Sequence, residues 1–222
     1  MEIKKIATIK TEFDSKFGIP RQSGIAKGAV GTVVFEKDFQ DPNFIRGIEG
    51  FSHLWLIWEF SENAGAEVHS TVRPPRLGGN ERVGVFATRS PYRPNGLGLS
   101  NVELKEVKTG KNGPELVVLG ADMLNGTPIY DIKPYIPYTD AVPNATAGFT
   151  ENVNKDLLNV KISDDMLSKI DEGERETLIS ILKQDPRPAY HNDDKRVYGL
   201  TFSHHEVKFN VCGNDLTVVA IE

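Results

Sequence analysis

Short apolar runs separated by turn residues dominate the first two-thirds of the chain. Residues 3–9 predict an opening strand, and residues 28–35 a β-branched one punctuated by Gly28 and Gly31. Residues 53–60 (HLWLIWEF) form a nearly continuous apolar and aromatic run, which predicts a strand buried on both faces. Residues 83–87, 99–107 and 115–121 continue the pattern, and the turn-rich stretch 108–114 (KTGKNGP) joins the last two as a hairpin. No long helical periodicity interrupts these runs. An antiparallel barrel or compact sheet is therefore favoured over a doubly wound parallel sheet.

The pattern changes near residues 143–154, an Asn-, Ala- and Thr-rich, weakly apolar stretch that reads as a linker. Beyond it Ser163 is placed to cap a helix, with Asp164 and Asp165 suiting the positive helix start and Met166, Leu167 and Ile170 at helical spacing. Gly173 is expected to break that helix. Leu178, Ile179, Ile181 and Leu182 carry a second helical stretch to a stop at Asp185 and Pro186. Strands over residues 197–202, 206–211 and 216–221 follow, with a tight turn within residues 210–215. The organisation predicted is mainly β, with a core domain over residues 1–145 and a smaller α+β domain over residues 155–222.

Charge narrows the function. The 222 residues carry a formal net charge of −5, which argues against gripping nucleic acid by bulk positive charge. Residues 1–149 hold 17 basic and 17 acidic side chains, residues 150–222 hold 9 and 14, so the whole acidic excess is carboxy-terminal. Between Val72 and Arg93 the balance reverses locally: Arg73, Arg76, Arg82, Arg89 and Arg93 face a single acid, Glu81. Arginine is the residue suited to planar, bidentate recognition. Cys212 is the only cysteine, which excludes an internal disulfide and a multi-cysteine zinc site and fits a reducing, cytoplasmic setting. No apolar run approaches the roughly 18 residues that span a membrane, and the first five residues have no apolar leader core. The histidines are scattered, so no metal is expected. Neither the dinucleotide-binding glycine fingerprint nor a P-loop is present.

Three stretches carry candidate chemistry. Residues 71–79 (TVRPPRLGG) hold two arginines on a Pro-Pro kink, either a stiff surface loop or a presenter of guanidinium groups to carboxylate or phosphate. Residues 86–100 (FATRSPYRPNGLGLS) surround Arg89, Arg93 and Asn95 with φ-restricting prolines and permissive glycines, a costly loop geometry that hints at function. Residues 125–135 (NGTPIYDIKPY) begin with an Asn-Gly turn and become extended, so Asp131, Lys133 and Tyr135 project to one side. That trio is a surface ion pair with a neighbouring phenol, or the wall of a pocket in which Asp131 orients a substrate amine.

Taken together, residues 20–22 (PRQ), 46–55 (RGIEGFSHLW), 72–79 (VRPPRLGG), 83–90 (VGVFATRS), 93–95 (RPN) and 131–135 (DIKPY) closely resemble the TsaA-like (YaeB) family. Residues 185–190 (DPRPAY) also match the accessory domain of its bacterial members. Those members are S-adenosylmethionine-dependent tRNA methyltransferases acting on N6 of the threonylcarbamoyl-adenosine 3′ of the anticodon. The resemblance implies a small β-barrel working as a homodimer, with the cofactor near the interface. It implies cofactor contacts from Pro20, Arg21, Gln22, Arg89, Leu99, Asp122, Met123 and Leu124. The family's usual P-N-P/x-I-G is here residues 94–98 (PNGLG), whose extra glycine loosens the loop.

Methyl transfer from a sulfonium is an in-line displacement, so alignment dominates. The N6 lone pair is conjugated with the purine, and an acceptor for the N6–H bond would help expose it. Asp131 is the first candidate and Asn95 the second, with Lys133 and Tyr135 completing the catalytic set. Arg89 suits the methionine carboxylate, and Tyr135 or Tyr92 suits stacking on the adenine. Arg73, Arg76, Arg93 and Arg187 suit RNA phosphate or the threonyl carboxylate, with Tyr190 and His191 as anticodon-loop contacts in a threonine-accepting tRNA. The competing readings are a barrel that binds RNA or a nucleotide without chemistry, and a hydrolase built on Asp131 and His53. No Ser-His-Asp or Cys-His spacing supports the latter.

Overall fold

The computed structural model describes residues 2–74, 81–151, 157–187 and 193–222. Among these residues eight strands precede the first α-helix. They are β1 (Ala7–Thr11), β2 (Val30–Phe35), β3 (His53–Glu59), β4 (Thr71–Val72), β5 (Val83–Gly84), β6 (Leu97–Gly110), β7 (Gly113–Leu119) and β8 (Pro128–Pro134). Six of them pair antiparallel in the order β1-β2-β7-β6-β3-β8, and β8 returns to β1 to close a barrel. β4 and β5 form a separate two-stranded ladder.

Period-two alternation builds the barrel core. Ile9, Val33, Leu54, Leu56, Val102, Leu116, Val118 and Ile129 point inward and are fully or almost fully buried. β3 departs from the expectation of two buried faces. Leu54, Leu56 and Trp58 are buried, while His53, Trp55, Ile57 and Glu59 are half-covered on the outer face. Its outer apolar residues therefore belong to the barrel wall. The bore is narrow: a Cβ on Gly31 would lie 2.7 Å from the Ile9 side chain.

Other boundaries shift where the sheet decides pairing. The opening strand begins at Ala7, opposite Phe35 of β2 and Ile129 of β8, and Ile3 is exposed. Of residues 83–87 only Val83 and Gly84 are strand. Val85–Ala87 forms a 3-10 turn that leaves Phe86 exposed, after a last bond from the Val85 N–H to the Ser70 carbonyl at 3.0 Å. The hairpin between residues 108 and 114 forms as predicted, with Gly110 opposite Gly113.

After α1 (Pro137–Asp140), the chain adds β9 (Asn159–Lys161), α2 (Asp164–Leu167), α3 (Glu172–Lys183), β10 (Tyr198–Phe202), β11 (His205–Cys212) and β12 (Asp215–Ile221). The sheet order is β10-β11-β12-β9, with β9 parallel to β12. Ser163 does cap α2, its hydroxyl accepting from the Met166 N–H. Gly173 does not break a helix. It sits in the first turn of α3, where few hydrogen bonds depend on it, and the break falls earlier, before Asp171. α3 lays Leu178, Ile181 and Leu182 on this sheet, and the cluster takes in Phe13, Ala26 and Ala29 from the loop between β1 and β2. That loop is shared between barrel and C-terminal sheet.

Candidate functional site

The antiparallel order brings the connections β1–β2, β3–β4, β5–β6 and β7–β8 to one end of the barrel. Between them lies a cleft of about 720 Å³, the size of a small-molecule site. Its walls come from residues 20–22, the end of β3, the arginine-rich loop before β6, and the segment after β7.

The arginine loop is braced by its own short-range bonds. The Thr88 hydroxyl donates to the Val85 carbonyl at 2.8 Å and accepts from the Ser90 N–H at 3.2 Å. Arg93 donates to the Thr88 carbonyl at 3.2 Å. Gly96 ties the loop back to the barrel by accepting from the Phe60 N–H at 2.8 Å. Arg89 reaches across the cleft and donates to the Gln22 side-chain carbonyl. The Gln22 loop is fixed to the barrel through Ser23, whose hydroxyl accepts from the Asn101 N–H at 3.2 Å, and through Gly24 N–H to the Gly120 carbonyl at 3.1 Å.

A polar chain runs along the cleft floor. The Trp58 indole N–H donates to the Ser100 hydroxyl at 2.9 Å, and that hydroxyl donates to Asp122 at 2.6 Å. Burial pushes the Asp122 carboxyl up to about 6, against the opposing pull of the Ser100 bond, backbone N–H groups and the nearby Arg89 charge. Trp58 can lie flat here only because Gly98 stands opposite it on β6, where a Cβ would meet the indole at 2.3 Å. At the rim Tyr130 donates to Glu59 at 2.6 Å, and that carboxylate pushes the phenol up to about 12.

The cleft gathers Pro20, Arg21, Gln22, Arg89, Leu99, Asp122 and Leu124, together with Arg93 and Asn95. Met123 is not in it. Its side chain is buried in the barrel core, and its carbonyl accepts from the Thr11 hydroxyl at 3.0 Å. Asp131, Lys133 and Tyr135 do not line it either. Asp131 and Lys133 form an exposed ion pair at 3.0 Å on the outer face, and Tyr135 packs beside Trp55 and His53. Arg73 is exposed after β4 and does not line the cleft. Arg187 is paired with Asp185. Arg76, Tyr190 and His191 lie outside the described residues. Sequence reasoning missed Trp58, Ser100 and Glu59. The two glycines in GLGLS were the available signal, but the facing tryptophan lies 40 residues away across a strand pair.

Among the described residues no helix is long and apolar enough to cross a membrane, and no group of three or more His, Cys, Asp or Glu side chains could hold a metal ion.

Fold and cleft define a small barrel protein whose cleft sets an arginine and a buried carboxylate on its walls, chemistry suited to a charge-bearing organic ligand, without a glycine-rich phosphate cradle. The tRNA-methyltransferase O N-terminal domain matches residues 8–141, and the TrmO C-terminal domain matches residues 155–222. The chain belongs to the tRNA-methyltransferase O family. A tRNA (adenine(37)-N6)-methyltransferase of Escherichia coli strain K12 is 36% identical over 229 residues, spanning 100% of this chain and 97% of that protein. A putative S-adenosylmethionine-dependent methyltransferase of Pseudomonas aeruginosa is 38% identical over 222 residues, covering 96% and 94%. A crystal structure of TrmO from Pseudomonas aeruginosa matches with TM-score 0.81 at 31% identity, covering 100% of this chain and 96% of that one.

Proposed function

We propose that this chain is an S-adenosylmethionine-dependent methyltransferase acting on N6 of adenine 37 in the anticodon loop of tRNA, the activity its full-length relatives are named for. The observation that carries the reading is convergence. Residues 20–22, Arg89, Leu99, Asp122 and Leu124 are dispersed in sequence, yet they meet in one cleft in a chain aligned end to end with such an enzyme.

The residues present fit the cofactor. Arg89 offers a guanidinium to a carboxylate. Asp122 accepts from a hydroxyl or amino group of the nucleoside, and Trp58 and Phe60, with ring centroids 4.4 Å apart, supply an apolar wall. S-adenosylmethionine brings a methyl group on a sulfonium, ready for displacement. The chain's own work is alignment and exclusion of water. Asn95, at the mouth, accepts the N6–H bond, and Arg93 beside it faces the carboxylate of a threonylcarbamoyl group. Arg73 contacts phosphate from outside the cleft.

The finer reading is a cytoplasmic homodimer. Leu99, Ile57 and Asp131 stand opposite one another on β6, β3 and β8, so the exposed Leu99 at the cleft rim and Asp131 share one outer face about 10 Å apart. This face of one copy brings Asp131, Lys133 and Tyr135 to the cleft of the other, where Asp131 orients the substrate amine and takes its N6 proton as the methyl group arrives. Residues 155–222 form the tRNA-recognition domain, and threonine-accepting tRNA is the preferred substrate.

Labelled S-adenosylmethionine incubated with threonylcarbamoylated and unmodified tRNA tests the activity. Cofactor binding without methyl transfer to either would leave a non-catalytic binding barrel. Mixing D131A with R89A chains tests the shared site. Each alone is strongly impaired at limiting cofactor, and the mixture regains activity only if one copy's Asp131 serves the other's Arg89.

A further inference from the structure

The wall of the cleft formed by residues 20–22 does not rest on the barrel alone. The loop carrying it buries Phe13, Ala26 and Ala29 in the C-terminal core beside Leu178 and Leu200, and Phe17 and Ile19 pack against the same cluster. Contact is close enough to require glycine. A Cβ on Gly18 would fall 1.8 Å from Leu200 Cδ1, and Gly18 also has φ +95°. A Cβ on Gly28 would fall 2.2 Å from the Thr177 hydroxyl.

Between these anchors the loop is held by a polar clasp. Arg21 Nη2 donates to the Asp185 backbone carbonyl at 2.9 Å. Asp185 ends α3 in the left-handed region (φ +52°), which sets the direction of that carbonyl. Its carboxylate holds Arg187 in a two-point fork, Nε to Oδ1 and Nη2 to Oδ2, both 2.8 Å, and Oδ1 also accepts the Arg187 N–H at 3.3 Å. The Arg187 side chain is only 11% exposed, so its guanidinium is committed inward rather than offered to solvent. On the other side, Gln22 donates to the Arg21 carbonyl at 2.7 Å and accepts from Arg89. A continuous chain thus runs Arg187–Asp185–Arg21–Gln22–Arg89, from the end of α3 to the arginine facing the cleft.

We propose that Asp185 and Arg187 are positioning residues that hold the residue 20–22 loop in its cofactor-binding form, rather than phosphate ligands. Through them the C-terminal unit sets the cofactor affinity of the barrel. The proposal rests on the cleft being the cofactor site. Its physical content is that a planar, bidentate fork is required at Arg187, which a point charge does not supply.

The test uses the full-length R187K and D185N chains, with thermal melts alongside. Lysine keeps the positive charge a phosphate contact needs but loses the fork. Asparagine tolerates positive φ and keeps one acceptor, so D185N is the milder probe. S-adenosylhomocysteine binding is measured by calorimetry and tRNA binding separately. Expected for R187K is a roughly tenfold weaker S-adenosylhomocysteine Kd, a raised KM for S-adenosylmethionine with kcat at saturation kept, and tRNA affinity within about twofold. D185N moves the same way by less. In the double variant R21A/R187K the loss is no greater than in R21A, since Arg187 acts through Arg21. Unchanged cofactor affinity with weakened tRNA binding in R187K and D185N would make Arg187 an RNA contact and overturn the proposal. So would additive losses in the double variant. Wild-type protein with no affinity for S-adenosylhomocysteine would instead remove the cofactor reading itself.

Discussion

Asp122→Asn separates what the cleft needs from what the fold prefers. The substitution keeps the shape and an oxygen to accept the Ser100 hydroxyl, and removes only the ionisable group. The folded value of about 6 stands above the ordinary 3.8 because burial opposes the charge. A carboxyl group raised in this way binds more protons folded than unfolded between about pH 4 and 6. Its contribution is therefore fully present below pH 4, lost as pH rises through 6, and absent above. Two units correspond to about 3 kcal/mol, reduced to about 2 because the side chain keeps some contact with water. At pH 8 the wild type carries that cost and D122N does not. In a chain of this length the Tm advantage of D122N should be about 4–8 °C larger at pH 8 than at pH 4. Thermal melts of both proteins across pH 4–8 measure it, and calorimetry with S-adenosylhomocysteine should show D122N binding at least tenfold more weakly. A Tm difference that is flat with pH, or that shrinks as pH rises, would refute the assignment of Asp122 as a charge held at the expense of stability.

Three further outcomes follow from the same geometry. Gly98→Ala drives a Cβ into the Trp58 indole and should destabilise by about 1–3 kcal/mol in urea melts, with a shift in tryptophan emission. Arg89→Ala should weaken S-adenosylhomocysteine binding roughly 10–100-fold, with Arg89→Lys intermediate; equal affinity in calorimetry would remove Arg89 from the carboxylate site. Asp131→Ala breaks an ion pair whose partners are 46% and 62% exposed, so stability should change by less than about 1 kcal/mol and cofactor affinity should hold. Methyl transfer should nonetheless fall by roughly a hundredfold, and full activity would end its catalytic role.

By itself the sequence determined the strand-rich class, the hairpin at residues 108–114, the Ser163 cap and the arginine loop that forms one wall of the cleft. These are local signals. Alternation, turn chemistry and a dense Pro, Gly and Arg loop act within a few residues of one another. The family resemblance added Asp122 and residues 20–22, whose chemistry has no local signature. Only the tertiary structure decided the rest. Closing the barrel put Trp58 opposite Gly98 and the Ser100 hydroxyl against Asp122, and it turned Asp131 and Lys133 outward while Asp122 became the buried acid. A period of two tells which residues share a face but not which face meets solvent, and register across strands distant in sequence settles that. Arg187 shows the same limit. In the sequence it is one more cation in a loop, and only the fork with Asp185 reveals that its charge is already spoken for.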